Sequence, residues 1–160
     1  MKRFETILHP TDFSPGAAPA FRYACELAGD YDARLVVVYV LEPGLPMVGE
    51  GGLVPTDLPE IRAAAEREFD ALQPTVPGVR LGKLIREGSA PATILAAARE
   101  VRADLIVMGT HGRTGLGRLL LGSVAEEVVR KAPCPVLTVK ADAPPSGPER
   151  RTELAAGGVS

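Results

Sequence analysis

The chain has 160 residues, a length suited to one domain that buries roughly 70% of the surface its unfolded form exposes. Hydrophobic residues make up 46% and charged residues 24%, which excludes disorder along most of the sequence. A formal charge of −2, 4% aromatics and no Trp supply neither the basic patch nor the stacking platform expected of a nucleic-acid binder. No apolar run approaches the roughly 20 residues of a membrane span. The start, Met1-Lys2-Arg3-Phe4-Glu5, meets an acid before any long apolar stretch, unlike a signal peptide. The expected location is the cytoplasm. Cys25 and Cys134 build neither a disulfide framework nor a CxxC site, and both are expected as buried structural thiols.

Along the chain, Thr6-Ile7-Leu8 reads as a first strand ending at His9-Pro10. Asp12 or Ser14 then offers an N-cap, with Pro15 suited to the first turn. Ala20, Tyr23, Ala24, Leu27 and Ala28 recur at helical spacing until Gly29 stops the pattern. Leu35 to Leu41 is continuously apolar and rich in Val, as a strand covered on both faces should be. Glu42–Thr56 holds Gly44, Pro46, Gly49, Gly51, Gly52 and Pro55 and reads as a long loop, a candidate lid or mobile segment.

Asp57 with Glu60 resembles a capping box, and Ile61, Ala64, Ala65, Glu68, Phe69 and Leu72 continue a second helix. Val79–Ile85 alternates apolar and basic residues, a strand with one more exposed face, and Glu87 marks its end. Ser89 and Pro91 open a third helix with the apolar stripe Ile94, Leu95, Ala98 and Val101. Asp104 starts the fourth strand, Leu105-Ile106-Val107-Met108, and a glycine loop leads to a fourth helix over Val124–Lys131. Val136–Val139 is the fifth strand. From Ala141 the chain carries Pro144-Pro145, Ser146-Gly147-Pro148 and Gly157-Gly158 without an apolar pattern. We therefore expect one domain over residues 1–140 and a flexible tail over 141–160.

Strands alternating with helices predict an α/β fold: a doubly wound, mainly parallel five-stranded sheet with helices on both faces. Ligands of such sheets sit beyond the carboxyl ends of the strands, where the winding reverses. The His9–Ser14 turn and the Gly109–Ser123 loop both lie at that end. If the first and fourth strands are neighbours, the two turns face one crevice.

The loop reads Gly109-Thr110-His111-Gly112, nine residues, then Gly122-Ser123. Glycines between a strand end and a helix start let backbone N–H groups approach an anion without a Cβ in the way. Two better-known phosphate motifs fail against it. Gly112-x4-Gly117 is followed by Arg118-Leu119, so the Walker Lys and its Ser/Thr are missing. Gly115-x-Gly117 meets Leu120 where the dinucleotide fingerprint needs a third glycine, and it follows the fourth strand instead of the first.

The spacing Gly109-x2-Gly112-x9-Gly122-Ser123, with Pro10-Thr11-Asp12-x-Ser14 upstream, resembles the nucleotide-binding branch of the universal stress protein family. The likeness includes Ile106-Val107-Met108-Gly109, His111-Gly112-Arg113, Gly122-Ser123-Val124-Ala125 and Cys134-Pro135-Val136, and it covers residues 5–140. The resemblance implies a Rossmann-like fold of the adenine nucleotide alpha hydrolase-like type, binding ATP or a related adenine nucleotide. It implies that Pro10 shapes the first turn, that Asp12 lies near the ribose or a bound Mg²⁺, and that the Val40 backbone meets adenine. Met108 and Gly109 would border the ribose, and Gly112, Gly122, Ser123 and Val124 would hold the phosphates. It also implies a homodimer. The residues agree on the phosphate group, because a helix starting near Ser123 aims its positive dipole end at an anion.

Structural roles compete with these. The glycines could serve backbone geometry alone, Asp12 could cap the first helix, and Ser123 is a natural N-cap. His9 suits strand-end packing, His111 is a possible acid–base group, and Arg113 and Arg118 suit either phosphate or solvent. Three functions follow: an ATP-binding regulatory protein of the stress response, a slow ATPase or autophosphorylating phosphotransferase, or a structural interaction module without nucleotide. The edge strand Val136–Val139 invites pairing with a second copy.

Overall fold

Period-two alternation divides the core into two layers. Strand β1 (Thr6–Thr11) buries Ile7 and Leu8 completely, on opposite faces of the sheet. In β2 (Arg34–Leu41), Leu35, Val37, Tyr39 and Leu41 join Ile7, while Val36 and Val38 join Leu8. The computed structural model describes residues 4–44, 47–49, 52–54, 57–111 and 121–142. Within them the elements run β1, a 3-10 turn (Pro15–Ala17), α1 (Ala18–Tyr31), β2, β3 (Met47–Gly49), β4 (Gly52–Val54), α2 (Leu58–Ala71), β5 (Arg80–Glu87), α3 (Ala90–Glu100), β6 (Leu105–Gly109), α4 (Ser123–Lys131) and β7 (Val136–Val139).

Five strands form one parallel sheet in the order β5-β2-β1-β6-β7. Helices α1 and α2 cover one face, through Ala20, Ala24, Ala28, Ala65 and Phe69. Helices α3 and α4 cover the other, through Ile94, Leu95, Ala98, Ala125 and Val128. The chain winds outward from β1 to β5, returns to β6 and winds outward again to β7. The doubly wound architecture expected from the sequence is the one observed, with the reversal between β1 and β6.

Four local expectations need correction. The first strand does not end at His9-Pro10; β1 pairs with β2 in register from Thr6↔Arg34 to Thr11↔Tyr39 and carries on past Pro10. Gly29 does not stop α1, which runs to Tyr31 and ends on Asp32 in the left-handed conformation. Gly29 serves packing, since a Cβ there would fall 2.9 Å from Val76 Cγ1. The segment Glu42–Thr56 is not all loop, because β3 and β4 pair antiparallel from Met47↔Val54 to Gly49↔Gly52. Finally, Cys25 is buried as expected but Cys134, entering the edge strand β7, is only half-buried.

Helix capping also departs from the sequence reading. Asp57 and Ser89 occupy the N-cap positions of α2 and α3, yet neither side chain makes a capping bond. For α3 the work passes to Glu42, at the end of β2, whose Oε1 accepts the Ala90 N–H at 2.7 Å. A carboxylate on first-turn N–H groups is favourable both as a hydrogen bond and against the helix dipole. Gly88 makes room for this turn: its φ is +141°, and a Cβ would lie 2.6 Å from Thr93 Oγ1. Most of the tail, residues 143–160, lies outside the described residues.

Candidate functional site

The site begins where two central strands part. β1 and β6 pair only at Ile7↔Leu105 and Leu8↔Ile106, although β1 continues to Thr11 against β2 and β6 to Gly109 against β7. At the amino end the two are tied firmly, for Asp104 Oδ2 accepts the N–H groups of Glu5 and Thr6 at 2.9 and 3.1 Å. Beyond Leu8 and Ile106 a gap opens toward the carboxyl ends. Pro10 falls past the last β1–β6 pair, so its missing N–H costs that ladder nothing.

One side chain spans the gap. His9 is fully buried, and its Nδ1–H donates to the Val107 carbonyl at 2.8 Å. A carbonyl only accepts, so Nδ1 carries the proton and the ring is held as that neutral tautomer. Burial pushes the imidazole down to about 4, with the Val107 bond and the Asp12 charge working the other way. His9 Nε2 has no partner among the described residues, and the ring lies 5.7 Å from that of Phe21. The expected packing role holds, in mid-strand instead of at a strand end.

The turn after β1 is organised by its own side chains. Thr11 Oγ1 accepts the Phe13 N–H at 3.0 Å, and Asp12 Oδ1 accepts the Ser14 N–H at 2.9 Å. Between these bonds Phe13 takes φ = 58°, in the left-handed region that a residue with a Cβ enters at a cost of about 1–2 kcal/mol. Its ring offsets that cost: it stacks on Tyr39 at 5.4 Å and 23° and meets Phe69 edge-on at 5.1 Å and 82°. Each such contact contributes about 0.5–1.5 kcal/mol beyond area burial. Asp12 Oδ2 and Ser14 Oγ are buried atoms left without a partner among the described residues. Asp12 thus does part of a capping job with one oxygen and leaves the other free. Ser14 sits at the N-cap of the 3-10 turn with no capping bond, and α1 itself starts after Ala17.

The second turn faces the first. A Cβ placed on Gly16 would lie 3.7 Å from Ser14 Oγ and 4.0 Å from the His111 carbonyl oxygen. One placed on Gly109 would lie 3.6 Å from the Gly16 carbonyl and 3.5 Å from that of His111. These are ordinary contacts, so Gly109 is not demanded by local packing. Gly122 is tighter: its N–H donates to the Thr110 carbonyl at 2.8 Å, and a Cβ would approach that oxygen to 3.2 Å. Gly122, not Ser123, is the N-cap of α4; Ser123 is the first helical residue and is exposed. The Thr110 hydroxyl and His111 Nδ1 are hydrogen-bonded at 3.0 Å, while the buried His111 Nε2 has no partner among the described residues.

The structure therefore gathers Pro10, Asp12, Met108, Gly109 and Gly122 around the carboxyl mouth of the β1–β6 gap. Ser123 and Val124 lie in the first turn of α4, where N–H groups lack intrahelical acceptors. Val40 is the penultimate residue of β2, one strand away and half-buried. Gly112, Arg113 and Arg118 lie outside the described residues. Among the described residues no group of three or more His, Cys, Asp or Glu is placed to hold a metal ion. Sequence reasoning passed over Phe13, whose only signal was its place between two turn-forming residues, and Glu42, which carried none.

Comparison with known proteins adds to this geometry. The sequence profile of the universal stress protein family matches residues 3–140. A universal stress protein of Methanocaldococcus jannaschii is 38% identical over 141 residues, 86% of this chain and 82% of its own. One from Thermus aquaticus is 39% identical over 138 residues, 86% of this chain and 99% of its own. Among solved structures, the universal stress protein UspA of Lactobacillus plantarum aligns with a TM-score of 0.71 at 29% identity, over 88% of this chain and 100% of its own. A universal stress protein in complex with cAMP aligns at 0.60 and 25% identity, over 88% of this chain and 100% of its own. One from Archaeoglobus fulgidus in complex with dAMP aligns at 0.61 and 25%, over 87% and 100%. With sequence, sheet order and neighbours in agreement, this chain belongs to the universal stress protein family.

Proposed function

We propose that the protein binds an adenine nucleotide, ATP foremost, at the carboxyl mouth of the β1–β6 gap and acts as a nucleotide-dependent regulatory protein of the stress response. The observation that carries this reading is the pair of buried atoms without partners, Asp12 Oδ2 and Ser14 Oγ, at the switch point of the sheet. A polar ligand there would satisfy both. Relatives of the same fold, solved with cAMP and with dAMP, support an adenine nucleotide as that ligand.

In this reading Pro10 shapes the turn, the Val40 backbone meets the base, and Met108 and Gly109 border the ribose. The N–H groups of Gly112, Ser123 and Val124, with the Ser123 hydroxyl, hold the phosphates, and Gly122 lets them come close. Mg²⁺ usually keeps several waters and takes one or two carboxylates plus phosphate oxygens. Asp12, with one oxygen pinned and one free, fits such a partial ligand set, and the ion would there neutralise phosphate charge. The protein is a binder first, with hydrolysis below roughly 1 s⁻¹, under ordinary enzyme rates. It works in the cytoplasm as a homodimer joined along β7, without nucleic acid or membrane, and nucleotide occupancy alters the surface offered to a protein partner. The domain spans residues 1–140 and the tail 141–160 is an appendage.

Calorimetric titration of nucleotide-stripped protein with ATP and magnesium tests the reading, beside a Gly122→Val variant checked for folding. Saturable binding, lost in the folded variant, is expected. No binding at millimolar ATP would leave the interaction-module alternative in front.

A further inference from the structure

We propose that Phe13 is a positioning residue of this site: its ring, clamped by Tyr39 and Phe69, holds the turn after β1 in the backbone conformation that leaves one Asp12 oxygen free for the ligand. The inference rests on the nucleotide reading above and assigns a role to a side chain that touches no ligand in it.

The geometry runs in three steps. Phe13 is a bulky residue at φ = 58°, a conformation ordinarily supplied by Gly or Asn, and its side chain has no polar atom with which to bond its own turn. The Thr11 and Asp12 bonds flank this residue within the turn, and contacts outside the turn hold its ring. The ring is held by contacts with two other elements, Tyr39 on β2 and Phe69 on α2, at centroid distances of 5.4 and 5.1 Å. Both partners are buried, at 7% and 4% exposure, so the clamp belongs to the core.

The backbone at Phe13 then sets the direction of the next N–H. Ser14 N–H donates to Asp12 Oδ1 at 2.9 Å, which pins the carboxylate by one oxygen and leaves Oδ2 buried and without a partner among the described residues. If φ at residue 13 relaxed to the usual negative values, the Ser14 N–H would swing away. Oδ1 would lose its donor and the carboxylate would turn on its own bonds. Thr11 Oγ1, accepting the Phe13 N–H at 3.0 Å, fixes the near side of the turn but not the far side. The clamp also ties the turn to β2 one residue before Val40, so the base end and the Asp12 end of the site share an anchor.

A double-mutant cycle read by ATP–magnesium titration tests this, with wild type, Phe13→Leu, Asp12→Asn and the double variant, all as the full chain. A positioning role acting through Asp12 predicts that Phe13→Leu weakens binding about tenfold and that the double variant binds no more weakly than Asp12→Asn alone. Phe13→Tyr, which keeps the ring, should stay within about twofold of wild type. Losses that multiply in the double variant, or unchanged binding by Phe13→Leu, would overturn the role of Phe13 while leaving the nucleotide site standing. If Phe13→Leu does not fold, Phe69→Leu removes half of the clamp from the other side and enters the same cycle with the same expectations. Absence of saturable binding by wild type would overturn both readings.

Discussion

The Nδ1–H of His9 donates to the carbonyl of Val107, 2.8 Å away, across the space where β1 and β6 no longer pair. A side chain thus replaces the ladder at the point where a doubly wound sheet opens. The bond fixes a proton on Nδ1, and burial, not the bond, keeps the ring neutral down to about pH 4.

That relationship predicts an acid-labile fold. The folded-state value of about 4 lies below the ordinary 6.5, so the unfolded chain takes up the proton first. Stability from this group is complete above pH 6.5 and is lost as pH falls toward 4, by about 3 kcal/mol in all. Urea denaturation at pH 7, 5.5 and 4.5 should show the decline, and His9→Gln, which keeps a donor but does not titrate, should flatten it. An equal decline in the variant would place the acid sensitivity elsewhere.

The two glycines of the candidate site should separate in stability. Gly122→Ala crowds the Thr110 carbonyl and puts a poor capping residue before α4, so a loss of about 1 kcal/mol is expected. Gly109→Ala meets only ordinary contacts and should be neutral or slightly stabilising. Denaturant midpoints compare the two directly. In the nucleotide reading both should weaken ATP binding, so Gly109→Ala isolates binding from folding.

Glu42→Ala should lower stability by about 1 kcal/mol, since it removes the carboxylate from the N-terminus of α3. Ser89→Ala should cost less, because the Ser89 side chain makes no capping bond. Equal effects from the two substitutions would contradict this division of labour.

At the other edge, β7 presents Leu137 at 38% exposure, and Val129 of α4 stands at 44%. For the proposed homodimer along β7, light scattering at micromolar concentration should give twice the chain mass, and Leu137→Lys should shift it toward the monomer. A monomer mass for the wild type would defeat the dimer.

Hydrophobic patterning made the sheet legible in the sequence. Leu35–Leu41 and Ile106–Met108 are unbroken apolar runs that mark strands covered on both faces, and the helical stripes mark the faces that cover them. The glycine spacing, with Asp12 and Ser14 upstream, located the mouth of the gap for the same reason: turn chemistry is local. What escaped the sequence depends on distant partners. The extension of β1 through Pro10 is made by pairing with β2, the role of Gly29 by Val76, the cap of α3 by Glu42, and the conformation of Phe13 by Tyr39 and Phe69. No window of neighbouring residues contains those contacts. The pair β3–β4 was missed because Gly49 and Gly52, which read in the sequence as breakers, pair with each other across the two strands.

The central claim is that an adenine nucleotide sits between the turn after β1 and the start of α4. Amide chemical-shift mapping of isotope-labelled protein during titration with ATP and magnesium tests it most directly. Saturable shifts at Asp12, Ser14, Gly109, Gly122 and Val124, with Glu5, Arg34 and Arg80 at the opposite end of the sheet unmoved, are the predicted result. Shifts confined to the amino end, or none at millimolar ATP, would contradict it.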